Sequence, residues 1–174
     1  WFNRIVAIRY MEIHDYLPIT HNNLSSGYRV LSGNDNSLNP EILKFSVLSS
    51  KELDLAFNPE QYTQLTKEDD KFKYILKLIC KKLSSVIPQV FGGDTDYIDL
   101  LIPDNMLSDG GIVNNIVKNI ATDDFNKVEI IGWLYQYYTS EKKDEVFAKL
   151  KKNIKIDKNN VPSATQIFTP DWIV

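Results

Sequence analysis

Cysteine is all but missing from this sequence. Cys80 stands alone, so an internal disulfide and a cysteine-built zinc cluster are both excluded. A single thiol fits a reducing, cytoplasmic setting. Histidine is nearly as scarce: His14 and His21 flank Pro18 and show no HExxH or other ligand spacing, so both read as surface or structural residues. The glycine pairs Gly92-Gly93 and Gly110-Gly111 form neither GxGxxG nor a Walker loop, which removes the common phosphate cradles. Asp94, Asp96 and Asp99 alternate without the glycine-containing calcium pattern, and a turn with solvated acids is the expected reading. No apolar run approaches the roughly 20 residues of a membrane span. Nor does a secretory signal open the chain, since Asn3-Arg4 follows Trp1 at once. A first residue other than Met leads us to expect a truncated start.

What remains is ordinary for a folded protein: 174 residues, 43% hydrophobic and 25% charged, enough to bury a real core. Formal net charge is -3 and the pI is near 5.4, so any contact with nucleic acid must use a local patch. Lys142, Lys143, Lys149, Lys151, Lys152, Lys155 and Lys158 gather late in the chain. Glu141, Asp144, Glu145 and Asp157 sit among them, and a solvated helix face is the expected account.

Helix signals dominate the pattern. Residues 1–16 lack Gly and Pro and place Phe2, Ile5, Val6, Ile8 and Met11 on one broad face, with Pro18 as the stop. Tyr28 to Leu31 is either a short strand or an extended loop. Asn39-Pro40-Glu41 and Asn58-Pro59-Glu60 both join a cap, a proline at the first helical position and an acid at the positive end of the dipole. The first is expected to start a helix running to about Phe57. Phe72, Ile75, Leu76, Ile79, Leu83 and Val86 trace the clearest amphipathic stripe, which Pro88 ends. The run 97–102 is too short to assign, 103–107 suits a helical turn, and Asp109 can cap a helix over 112–120. Residues 127–138 carry an apolar face widened by Ile130, Trp133 and Tyr137. That aromatic cluster reads as packed core rather than a base-stacking platform, with Tyr135 and Tyr138 at a domain edge. Ser140 offers a partial capping box for a helix bearing Val146, Phe147 and Leu150. Thr169-Pro170-Asp171 looks like a further start. The expected fold is mainly α: a helical, bundle-like domain over 1–160, with 161–174 as a lead-in to whatever follows. Cys80, on the apolar side of its helix, reads as a buried small hydrophobe.

Several long blocks, in order, resemble one family. They are WFNRIVAIRYMEIHDYLP (1–18), YRVLS (28–32), NPEIL (39–43), YIDLLIPDNMLSDGGIVNNIV (97–117), VEIIGWLYQYYTSEKKDEVFA (128–148) and VPSATQIFTPDWIV (161–174). The pattern is similar to that of the adenine-specific DNA methyltransferases of BREX phage-defence systems, the PglX type. The resemblance implies that these residues precede a Rossmann-like domain binding S-adenosylmethionine, with double-stranded DNA as substrate. It further implies as partners that catalytic domain and other phage-defence proteins. The implied reaction is flipping of an adenine, followed by attack of its N6 amino group on the methyl sulfonium. The family's glycine-rich loop and N-P-P-Y-type tetrapeptide are missing, for there is no Pro-Pro pair and no FxGxG. No catalytic residue therefore carries over, and the chain alone is expected to be inactive. One element matches: Phe168, Thr169 and Pro170 resemble the segment that lies against the cofactor in related amino-methyltransferases. A helix start there would offer free N–H groups and a hydroxyl; the plainer reading is a Thr cap. The competing reading of the whole chain is a non-catalytic helical module that docks DNA or other defence proteins. A nuclease fusion has no convincing PD-(D/E)xK pattern to support it.

Overall fold

The computed structural model describes residues 1–17, 29–33, 35–44, 57–92, 95–165 and 173. Its Cα packing divides the chain into two compact units, Trp1–Asp123 and Asp124–Val174. All regular structure among the described residues is helical. Val30, Leu31 and Ser32 form a bend, and no strand runs through the described residues 29–31. No helix among the described residues is long and apolar enough to cross a membrane.

In the first unit, α1 (Phe2–Ile13) buries Ile5, Val6, Ile8 and Met11. It stops three residues short of the expected Tyr16. Asp15 adopts a left-handed φ of 56°, and the Tyr16 N–H donates to the Met11 carbonyl at 2.8 Å. That is a Schellman-type ending, completed before Pro18 can act. The next helix, α2 (Glu41–Lys44), follows Pro40 as expected; the expected run on to about Phe57 falls on residues 45–56, outside the described residues. Then comes α3 (Pro59–Gln64), where the Asn58 side chain accepts from the N–H groups of Glu60 and Gln61.

The central element is α4 (Glu68–Ser84). Glu68, Asp69 and Asp70 fill its first turn and Lys81 and Lys82 its last, complementing the helix dipole at both ends. Phe72, Ile75, Leu76, Ile79, Cys80 and Leu83 are buried. Val86, expected on the same stripe, lies past the helix end and is 65% exposed. Pro88 is not the terminator either: α4 has already ended at Ser84, and Pro88 opens α5 (Pro88–Phe91). The fixed φ of proline makes it a better start than stop. The ambiguous run resolves as α6 (Thr95–Leu100).

Residues 103–107 run as a loop into a single turn, closed by the Ser108 N–H donating to the Asn105 carbonyl at 3.3 Å, and a side chain of α4 anchors them. Asp69 accepts from the N–H of Asn105 at 3.1 Å and of Leu107 at 3.2 Å, with Met106 buried between them. Gly111, not Asp109, caps α7 (Ile112–Asn119). A Cβ at Gly111 would lie 2.3 Å from the Asn105 carbonyl and 2.4 Å from that of Met106, so the close passage of this loop dictates glycine.

The second unit holds a 3₁₀ turn (Thr122–Asn126, begun in the first), then α8 (Glu129–Tyr138), α9 (Ser140–Lys151), a second 3₁₀ turn (Lys158–Asn160) and α10 (Val161–Thr165). Packing runs from α8 to α9 and from α9 to α10. Ser140 does not cap α9: its hydroxyl donates back to the Tyr137 carbonyl at 2.7 Å.

Candidate functional site

Described residues of three of the blocks that carry the resemblance, those within 1–18, 28–32 and 39–43, meet through buried polar groups. Helix α1 carries Arg4, Arg9 and Glu12 on the same side as its apolar residues, and all three are buried. Arg9 pairs with Glu12 and donates to the Ser32 hydroxyl at 2.9 Å. The other Glu12 oxygen accepts from the backbone N–H of Val30 and of Leu31, each at 2.6 Å. Glu41 in turn accepts from the Arg29 N–H at 3.1 Å, while its own N–H donates to the Ser32 carbonyl at 2.9 Å. One carboxylate from each of two helices thus satisfies the backbone of residues 29–31. Without them these buried amides would cost several kcal/mol to desolvate.

Arg4 does a related job at the other end of α1. Its guanidinium donates to the carbonyls of Val90, Phe91 and Gly92 at 3.2, 3.0 and 3.2 Å. A cation on the last carbonyls of α5 meets the negative end of that helix. The Trp1 indole N–H bonds the Ile98 carbonyl at 2.7 Å, fixing α6 to the same helix. Sequence reasoning placed α1 correctly but missed these roles. The available signal was the presence of three charges among apolar positions of one face.

Between α1, α4, α5 and α6 runs an open groove of about 560 Å³, lined by Arg4, Tyr74, Lys77, Cys80, Phe91 and Asp99 among others. Two of its lysines are paired. Lys73 is bound by Asp69 at 3.2 Å and Asp104 at 2.6 Å, and Lys77 lies 3.5 Å from Asp99. The hydrogen bond from Lys73 holds the Asp104 carboxyl below its ordinary range. Burial pushes the Cys80 thiol up to about 12, so it stays protonated and unreactive. The groove's one thiol is therefore no poised nucleophile. Among the described residues no group of three or more His, Cys, Asp or Glu side chains is arranged to hold a metal ion. His14 stacks on Tyr16 with ring centres 5.4 Å apart.

The late sites fare differently. Phe168, Thr169 and Pro170 lie outside the described residues, as does His21. The lysines of α9 stand in solvent with acids between them, and Lys142 pairs with Glu145 at 3.1 Å. The aromatic cluster is not packed core. Trp133 is 41% exposed, Tyr137 79% and Tyr138 66%, because Gly132 is the residue α8 turns inward.

No protein-family model matches the chain. Proteins of one class match it from end to end: adenine-specific methyltransferases. BrxX of Escherichia coli O9:H4 (strain HS) is 38% identical over 183 residues, and PglX of Lacticaseibacillus casei (strain Zhang) is 37% identical over 190. Each match takes in 100% of this chain and 14% of the relative, so the chain spans about one seventh of the curated relatives it matches. The chain corresponds throughout to a segment of PglX-type proteins, the family its ordered blocks resemble.

Proposed function

We propose that these residues are the helical, non-catalytic segment of a site-specific DNA adenine-N6 methyltransferase acting in phage defence. The observation that carries this reading is the end-to-end match to two adenine-specific methyltransferases. In this view residues 1–160 form the helical domain and 161–174 lead into a cofactor-binding sheet. The methyl donor is S-adenosylmethionine, and Phe168, Thr169 and Pro170 lie against it once that sheet is attached. The substrate is an adenine flipped from duplex DNA, in the cytoplasm, with other defence proteins as partners. No reaction step is assigned to side chains of this segment, whose buried charges are spent on its own backbone.

The test uses labelled S-adenosylmethionine and duplex DNA. The protein bearing this segment should transfer methyl groups to adenine N6, whereas residues 1–174 alone should transfer none. Turnover by the segment alone would mean the active site has been misplaced. Absence of turnover by the longer protein would favour the interaction-module reading.

A further inference from the structure

Helix α8 leaves part of its apolar surface in solvent, with Trp133, Tyr137 and Tyr138 exposed while Ile130, Ile131 and Leu134 are half-buried. At 100° per residue, Ile130, Trp133, Leu134 and Tyr137 follow i, i+3, i+4, i+7 spacing and share one arc, which Ile131 widens. Glu129, Gly132 and Gln136 make up the remaining polar strip. An isolated amphipathic helix buries the apolar arc and wets the polar strip. Here Gly132 is buried and the Gln136 side-chain nitrogen is buried with no hydrogen-bond partner, while Tyr137 is 79% and Trp133 41% exposed. A buried amide left unpaired and two aromatic rings left in water are both unfavourable. The orientation becomes favourable only when the arc is covered.

The chemistry of the arc and the size of the relatives indicate the cover. No cation stands on the arc, so it has nothing for the phosphates of a nucleic acid. Trp, Tyr, Ile and Leu together are the composition of a buried interface centre. The chain spans 14% of each matching methyltransferase, leaving several times its own length of polypeptide in those relatives. Helices apolar around most of their circumference belong to the interiors of large proteins. We infer that the α8 arc is the surface on which the remaining polypeptide of the same methyltransferase packs. This rests on the functional reading above, for it requires the segment to be part of that larger enzyme.

The experiment places a photoreactive benzoylphenylalanine at Tyr137 in the full-length protein, mixed equally from light and isotopically heavy preparations. After illumination, cross-linked peptides are mapped by mass spectrometry. Expected are links within one copy to peptides outside residues 1–174, falling about tenfold when the probe instead replaces the exposed Lys152. Links to residues 1–123, isotopically mixed links, or equal yield from both positions would overturn the inference. Hydroxyl-radical footprinting reads the same face without substitution: Trp133 and Tyr137 should oxidise slowly, and oxidation at the rate of free side chains would also overturn it. The same preparation is assayed for adenine methylation. Cross-links of the expected kind without methyl transfer sink the functional reading alone; methyl transfer without them sinks the docking surface alone.

Discussion

Glu12 has two carboxylate oxygens and uses both. One meets Arg9 and the Ser32 hydroxyl, the other two backbone amides. Breaking a buried pair from one side leaves the opposite charge uncompensated, at a cost of about 3–5 kcal/mol. Glu12→Gln should therefore lower the free energy of unfolding, measured by urea titration, by that order. Lys142→Ala, which removes an exposed pair, should change stability by less than about 0.5 kcal/mol. Equal effects would show that the Arg9–Glu12 cluster is not a structural keystone. Cys80 provides a second test at this scale. With its folded thiol titrating at about 12 against an ordinary 9.0, the thiolate fraction at pH 8 is about a thousandfold below that of a free cysteine. Native protein should resist iodoacetamide and become labelled only on unfolding. The proton is held more tightly in the folded state. That contribution is whole below pH 9 and is lost as the pH climbs from 9 toward 12.

Among the elements, those whose ends are written in adjacent residues were legible. The α3 cap at Asn58 and the α4 stripe from Phe72 to Leu83 appear where local chemistry puts them. A cap decided by a close passage was not. Helix α7 stands where expected, but Gly111 rather than Asp109 is its cap, because the 105–106 backbone passes too close for any side chain. Gly111→Ala should accordingly destabilise the protein by about 2 kcal/mol or more, read from thermal unfolding followed by circular dichroism. Gly110→Ala tests a different constraint. Its added methyl meets nothing within 4 Å, and its cost comes from the positive φ of 82°. A wild-type melting temperature for Gly111→Ala would refute the close-passage account. Helix α8 is the sharpest case of an illegible element: its periodicity was evident, but periodicity cannot say whether an apolar face is turned to its own unit or away from it.

Across the whole chain, charge argues for restrained contact with DNA. The net charge of -3 and the pairing of Lys73, Lys77 and Lys142 with carboxylates leave little field for phosphates. Residues 1–174 alone should bind duplex DNA no better than ordinary non-specific association, with a Kd on the order of 10⁻⁴–10⁻⁶ M at physiological salt. Fluorescence anisotropy with labelled duplexes measures this directly. Tight, sequence-selective binding would instead make this segment the recognition domain.

The sequence alone determined the helical class, the start at Pro59, the buried stripe of α4 and the family. All of these depend on residues within a turn or two of one another, or on ordered blocks compared as strings. Tertiary structure decided which charges go inside. Arg4, Arg9 and Glu12 could equally have been solvated, until the carbonyls of residues 90–92 and the amides of residues 30–31 arrived to receive them. Whether a charge is tolerated in an interior depends on partners brought together by the fold, and no local spacing encodes where those partners will be.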